Sequence, residues 1–188
     1  MTARLEKLRA RLAEKELDGF WVVGAENRRY LSGFTGSAGH LLITPSDAVL
    51  VTDFRYVEQA GRQAPAFRVH RMGGAAGGPT WFIEVLQELG LGGKRLGFEA
   101  HQLTVAGYKS VTEALQQLPA PQRPHLAPVN GLVEELRAVK DAAELAALQR
   151  AIDLADQAMD AIAPAIRPGM TEREVAWLLE KTMREAGA

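Results

Sequence analysis

Through the first 131 residues, amphipathic segments that fit helices alternate with short apolar segments that fit strands. A first helix is predicted over residues 2–17, where leucines recur at helical spacing among charged side chains. Asp18 and Gly19 end it, because glycine readily adopts the left-handed conformation that closes a helix. The apolar run 20–24 follows at once and indicates a buried strand. A helix followed directly by a buried strand favours an α/β arrangement, in which helices pack on a sheet.

The other elements of this first region follow from similar signals. A hairpin is indicated where two apolar strands flank the turn residues 45–47, and Asn27 is placed to cap a short helix. The glycine-rich stretch 73–78 indicates a flexible connector, after which Pro79 opens a helix. Strands are predicted at 40–44, 48–52, 67–72, 95–99 and 125–129, and further helices at 27–34, 54–63 and 105–118.

The character of the sequence changes after about Asn130. From Asp141 it is rich in alanine and helical, with apolar residues three or four positions apart on one face. This apolar stripe comprises Leu145, Leu148, Ile152, Ala155, Met159, Ile162 and Ile166. Because so regular a stripe is typical of a coiled coil, we expect it to be covered by the first region or by another copy of the chain. A capping box at 171–174 opens a final helix.

Composition argues against several classes of function. Lys and Arg total 22 against 23 Asp and Glu, whereas a nucleic-acid-binding protein usually carries a basic excess or a basic stripe. No apolar run approaches the roughly 20 residues of a membrane helix, and the N-terminus lacks the apolar core of a signal peptide. The absence of cysteine excludes disulfides and thiolate metal sites. We therefore expect a soluble, cytoplasmic protein that binds neither nucleic acid nor membrane.

No residue pattern in the chain indicates a catalytic centre by itself. The glycines at 33, 36 and 39 precede a strand, whereas a phosphate-binding loop leads into a helix N-terminus. Ser37 lacks the strand-to-helix elbow of a nucleophilic serine. The histidines also lack the spacing of a metal site, and they are His40, His70, His101 and His125.

Asp53 is an acid that the pattern places at a probable strand end. Ligands commonly bind at such strand ends in α/β domains. The alternative is that Asp53 caps the following helix and that Arg55 pairs with it nearby. Both interpretations remain open from the residues alone.

Several segments, taken jointly and in order, resemble the creatinase/prolidase family. They are Asn27-Arg-Arg-Tyr-Leu-Ser-Gly-Phe-Thr-Gly36 with 41–44, then 51–60, 96–99, 136–145 and 169–176. The first three resemble landmarks of the family's N-terminal domain. The last two resemble the junction into its catalytic domain and the second helix of that domain. The resemblance covers nearly the whole chain.

The resemblance implies an α/β fold class with a mixed sheet flanked by helices over residues 1–131. Residues 132–188 would form a linker and the first two helices of a truncated pita-bread domain. The parent protein would be a metal-dependent Xaa-Pro dipeptidase (prolidase), which hydrolyses the peptide bond before proline. The alternatives are an Xaa-Pro aminopeptidase (aminopeptidase P) and a stand-alone binding or oligomerisation module. Two divalent metals, Mn, Co or Zn, are implied for the parent enzyme, and none for this chain, which is expected to be inactive alone.

By the same resemblance, the N-terminal domain mediates homo-oligomer contacts, expected here as a dimer, and shapes the access of proline-containing peptides. The loop from Gly33 to His40 is the segment expected to reach substrate. The candidate substrate-access residues are Tyr30, Phe34, Ser37, His40, Asp53 and Arg55. The alternative is that the loop glycines serve turns and that Phe34 serves packing.

Overall fold

The computed structural model describes residues 2–73 and 80–188, which divide into two compact units, Met1–Ala138 and Val139–Ala188. The predicted connector at 73–78, apart from Gly73, and the predicted helix start at Pro79 lie outside the described residues. Each unit is described below by itself.

Within the described residues, the first unit is built on a mixed sheet with the strand order β4-β3-β2-β1-β5-β6. The strands are β1 Gly19–Val22, β2 His40–Ile43, β3 Ala48–Thr52, β4 Arg68–Arg71, β5 Arg95–Glu99 and β6 His125–Val129. The pairs β1–β2 and β2–β3 are antiparallel, and the other three neighbouring pairs are parallel. The predicted α/β class is confirmed, and so is the hairpin around residues 45–47.

The described helices are α1 Thr2–Glu14, α2 Ala25–Ser32, α3 Val57–Gln63, α4 Thr80–Glu88, α5 Val105–Leu115, α6 Leu132–Ala138, α7 Ala142–Ile162 and α8 Glu172–Glu185. The prediction that Asn27 caps α2 is wrong, because Gly24 occupies the N-cap and Asn27 lies inside the helix. The Asn27 side chain is buried and bonds to side chains of other elements. Short 3-10 turns occur at Ala120–Gln122 and Ala163–Ala165.

Both faces of the sheet are covered, since successive side chains of a strand point to opposite faces. On β1, Phe20 and Val22 belong to one apolar cluster and Trp21 to the other. The first cluster contains Leu5, Leu8 and Leu12 of α1, and the second contains apolar residues of α4 and α5. Complete burial of one leucine side chain stabilises a fold by about 1.5–3 kcal/mol, so the leucines hold α1 firmly on the sheet.

Helix α6 packs in the core of the first unit. Leu132 and Val133 are buried there, and Leu136 packs against the same cluster. The sequence predicts a linker from residue 132, whereas the structure forms a helix at this position and the compact units divide only after Ala138. The assignment of family domains to residues 1–131 and 132–188 stays a prediction.

The second unit consists of α7, α8 and the 3-10 turn between them. Capping boxes begin both helices: Asp141 with Glu144, and Thr171 with Glu174, the second of which confirms the predicted box at 171–174. Ile162 is buried, whereas other residues of the predicted apolar stripe are about half exposed. Those exposed residues are Leu145, Leu148, Ile152, Met159 and Ile166, and the covering of the stripe stays a prediction.

Candidate functional site

The predicted access loop joins α2 to β2, and its backbone is held at both ends. Gly33 ends α2 in the left-handed conformation, with φ of 78°, and its N–H donates to Arg29 O. Ser32 Oγ then accepts from the N–H of Phe34 at 3.1 Å. At the far end of the loop, Thr52 Oγ1 of β3 donates to Ala38 O at 2.7 Å.

Arg28 contacts this loop at two points, and no pattern in the sequence predicts that role. Its side chain is buried, with 4% of the residue exposed. Nη1 donates to Gly39 O at 2.6 Å and Nη2 to Gly36 O at 2.7 Å. Burial lowers the pKa of this guanidinium, although the charges of Glu26 and Glu99 oppose that shift.

Phe34 lies beneath the loop with no exposed surface. Its ring meets the ring of Tyr56 edge-on, with centroids 5.9 Å apart. Gly36 crosses directly over the Phe34 ring, so that a Cβ at position 36 would overlap with ring atoms. The Phe34 side chain therefore supports the loop from the core and does not reach the surface of this unit.

Ser37 lies on the outer side of the loop and is exposed. Its Oγ is hydrogen-bonded to the hydroxyl of Tyr56 at 2.8 Å, which ties the loop to the segment after β3. The neighbouring Phe54 is 71% exposed. A cavity of about 230 Å³ lies beside the loop, lined in part by Glu26, Arg28 and Ser37.

Asp53 and Arg55 form a two-point ion pair in the segment after β3. Arg55 Nη2 donates to Asp53 Oδ2 at 2.7 Å and Arg55 Nε to Asp53 Oδ1 at 3.0 Å. The hydrogen bond from Arg55 lowers the pKa of the Asp53 carboxyl. The side chain of Asp53 does not cap α3, because the N-cap is Tyr56, and it accepts instead from the N–H of Arg55. The predicted pairing with Arg55 is present, and the predicted cap is not.

These contacts connect four residues into one surface, which we call the access surface: Ser37, Asp53, Arg55 and Tyr56. Ser37 and Arg55 are exposed, and Asp53 and Tyr56 are half-buried. The Arg55 guanidinium carbon lies 5.2 Å from the centroid of the Tyr56 ring, within the range of a cation–π contact. The access surface thus combines two hydroxyls with a paired guanidinium and carboxylate. Hydroxyls can donate or accept hydrogen bonds, and a guanidinium can donate to carboxylates.

The other two candidate residues lie away from the access surface. The Tyr30 hydroxyl donates to Leu136 O of α6 at 3.2 Å, and the guanidinium of Arg4 lies over its ring. His40 instead stacks on Trp81 of α4, with ring centroids 4.9 Å apart. Burial, followed by the charge of Arg28, lowers the pKa of His40 to about 4, so its imidazole is neutral at pH 7.

The structure also contains a buried polar cluster, at the carboxyl ends of β1 and β5, that the sequence patterns did not predict. The Glu99 carboxylate accepts from the N–H groups of Val23 and Gly24, both at 2.6 Å, and from Asn27 Nδ2 at 2.7 Å. Burial raises the pKa of Glu99, and the two N–H donors and Asn27 partly offset that shift. A carboxylate of the chain thus occupies the start of α2, which is the place where many α/β proteins bind a phosphate.

The Asn27 side chain connects this cluster to α6. Its Nδ2 also donates to Glu134 Oε1 at 2.6 Å, and its Oδ1 accepts from Arg137 Nη1 at 2.9 Å. Both amide hydrogens and the amide oxygen therefore have partners.

No metal site and no membrane span is found in the part of the chain that the structure describes. Residues 2–73 and 80–188 contain no group of three or more His, Asp or Glu side chains placed to hold a metal. No helix within those ranges is long and apolar enough to cross a membrane.

Two family models match the chain. Residues 4–139 match the creatinase/prolidase N-terminal domain, and residues 146–188 match the metallopeptidase family M24. The first match therefore contains the whole access surface and the polar cluster at Glu99.

Three proteins illustrate the similarity. The chain is 37% identical to the uncharacterized peptidase YqhT of Bacillus subtilis over 98% of its own length and 50% of that protein. It is 37% identical to the solved Xaa-Pro dipeptidase from Bacillus anthracis, with a TM-score of 0.85, covering 100% of this chain and 50% of that one. An X-Pro aminopeptidase from Thermotoga maritima is 28% identical, with a TM-score of 0.79, over 98% and 49%. The chain thus spans about half the length of these proteins.

Proposed function

The chain belongs to the creatinase/prolidase family, and from this premise we propose that it is the N-terminal part of a metal-dependent Xaa-Pro dipeptidase. The reaction of the whole protein is hydrolysis of the peptide bond before proline. The observation that carries the proposal is the 37% identity to the Bacillus anthracis Xaa-Pro dipeptidase, which extends over the whole of this chain.

Within that protein, the first unit shapes access of the peptide through the access surface. The Ser37 and Tyr56 hydroxyls can hydrogen-bond peptide N–H and carbonyl groups, and Arg55 can donate to a substrate carboxylate alongside Asp53. Phe34, Tyr30 and His40 act from within the fold, since their side chains pack against other elements. We assign the contact with substrate to Ser37 and Arg55.

Divalent metals, Mn, Co or Zn, belong to the proposal because residues 146–188 match the metallopeptidase family M24. They would supply the activated water for hydrolysis. The described residues do not fit such a site, since they contain no group of ligands placed to hold a metal. No ligand and no step at a metal is therefore assigned to this chain, which is proposed to be inactive alone.

A homodimer in the cytoplasm is part of the same proposal. Light scattering of the full-length protein tests the dimer, and a mass of one subunit contradicts it. Cell fractionation tests the location.

The second candidate is an Xaa-Pro aminopeptidase, which the similarity to the Thermotoga maritima enzyme favours. Substrate length separates the two activities. The full-length protein with Mn²⁺ is given Ala-Pro and Ala-Pro-Ala, and the released residues are measured. Preference for Ala-Pro supports the dipeptidase, and preference for Ala-Pro-Ala supports the aminopeptidase. If the protein hydrolyses neither peptide with Mn²⁺, Co²⁺ or Zn²⁺, the remaining candidate is a non-catalytic binding or oligomerisation module.

The access surface is tested by Ser37→Ala and Arg55→Gln in the full-length protein. We expect each to raise the KM for the preferred peptide about threefold to tenfold, because a hydrogen bond to substrate is lost. Ser46→Ala and Arg62→Gln are matched controls, since both residues are exposed and their side chains contact the nearby Asp47 and Glu58. An unchanged KM in both test variants contradicts the role of the surface.

A further inference from the structure

The access loop is held in one conformation along most of its length. Five of its backbone groups are bonded to side chains outside the segment 33–39. They are the N–H groups of Phe34 and Thr35 and the carbonyls of Gly36, Ala38 and Gly39. A loop bonded in this way loses little conformational entropy when a ligand binds to it.

Two of the five contacts come from one side chain, the buried guanidinium of Arg28. Its two terminal nitrogens donate to carbonyls three residues apart, Gly36 O and Gly39 O. The guanidinium thereby bridges the base of the turn that carries Ser37 at its outer side. Gly36 and Gly39 are buried, whereas Ser37 between them is exposed.

The geometry of this bridge is specific to arginine. A guanidinium is planar and directs N–H groups from separate nitrogens as a fixed fork, whereas a lysine ammonium carries its three N–H groups on one compact nitrogen at the end of a flexible stem. Lysine therefore does not reproduce the two separate donors that Arg28 directs at Gly36 O and Gly39 O. Arg28 Nε has no hydrogen-bond partner among residues 2–73 and 80–188. The guanidinium therefore forms its hydrogen bonds to the loop through Nη1 and Nη2.

We infer that Arg28 is the positioning residue of the access loop: its fork fixes the turn 36–39 and so sets where Ser37 meets a peptide. The part concerning the peptide rests on the proposed function. The part concerning the loop does not, because it follows from the two hydrogen bonds and the burial of Arg28.

The test compares Arg28→Lys with wild type in the full-length protein by hydrogen–deuterium exchange and by kinetics. We expect the loop amides to exchange about tenfold faster or more, with strands β1 and β3 unchanged, because hydrogen bonds from a charged donor are lost. We also expect a KM about tenfold higher for the preferred Xaa-Pro peptide at similar kcat. Arg123→Lys is the matched control, since Arg123 also donates to two carbonyls, Leu118 O and Gln116 O, remote from the loop.

Each result decides one part of the inference. Unchanged exchange of the loop overturns the positioning role. Faster exchange with an unchanged KM keeps the positioning role and overturns its effect on substrate. A wild-type protein without peptidase activity refutes the proposed function, while the exchange data still decide the role of Arg28.

A second measurement applies if Arg28→Lys also loosens the core strands. Nuclear magnetic resonance of the wild-type protein should then show separate, slowly exchanging Nη hydrogens for Arg28, because each nitrogen is bonded to a different carbonyl. Averaged, rapidly exchanging signals overturn the inference.

Discussion

Acid should destabilise the chain through His40, whose ring stacks on Trp81. Burial, together with the charge of Arg28, lowers the pKa of His40 from 6.5 to about 4. In the unfolded chain the same imidazole takes up its proton near pH 6.5. Between these two values the unfolded state holds more protons than the folded state. The free energy of unfolding therefore falls as the pH drops from about 6.5 towards about 4, and the His40 contribution is lost below that value.

The magnitude follows from the size of the shift. One pKa unit corresponds to about 1.4 kcal/mol, so the complete loss is about 3 kcal/mol. At pH 5 the same linkage gives a loss of about 2 kcal/mol relative to pH 8.

Glu99 has the opposite effect on the pH dependence of the free energy of unfolding. Burial raises the pKa of its carboxyl, and the stability gained from its protonation is lost as pH rises through that pKa.

Urea denaturation of the wild-type chain and of His40→Gln separates the contribution of His40 from that of Glu99, since glutamine does not titrate. The difference in free energy of unfolding between wild type and variant should shift by about 2 kcal/mol in favour of the variant between pH 8 and pH 5. His125→Gln, at an exposed position of β6, is the matched control and should follow wild type. A difference that stays constant over this range, or that shifts in favour of wild type, refutes the reasoning.

Three further substitutions test the packing. Gly36→Ala should lower the free energy of unfolding by about 1–3 kcal/mol, because its Cβ would overlap with the Phe34 ring. Gly61→Ala is the control, since a Cβ at that position would lie in open space. Equal stability of the two variants in thermal denaturation would contradict this prediction. Asn27→Leu should cost about 3 kcal/mol in urea denaturation, because the buried Glu99 and the half-buried Glu134 each lose one donor. A cost below about 1 kcal/mol contradicts this. Thr171→Ala should cost about 1 kcal/mol through the lost cap and speed amide exchange at the start of α8; unchanged exchange counts against the cap.

The elements that local sequence determines were predictable. The hairpin β2–β3 follows from two apolar runs around a Pro-Ser-Asp turn, and helix α8 begins at a capping box whose four residues are contiguous. The position of α6 was not predictable in this way. Leu132 and Val133 are too few to give a periodic pattern, and only the core that they enter decides which unit they join.

The candidate site was likewise predictable only in part, where local sequence or the family resemblance indicated it. The resemblance located the loop, and an acid at a strand end drew attention to Asp53. The burial of Phe34 and the roles of Arg28 and Glu99 depend on contacts between distant segments, such as Glu99 with Gly24. A buried charged residue is rare enough that sequence reasoning assigns Arg and Glu to the surface by default. A buried guanidinium that bonds two loop carbonyls is therefore seen only in three dimensions.

Helix α2 explains how these hidden residues act together. Asn27 and Arg28 are adjacent, and neighbouring residues on a helix point about 100° apart. The Asn27 amide bonds Glu99 and α6, while the Arg28 guanidinium bonds the access loop. Each residue removes a polar group from water, and its hydrogen bonds to other segments offset much of that cost. One short helix therefore fixes both α6, the last element of the first unit, and the loop that presents Ser37, so displacement of α2 would move both.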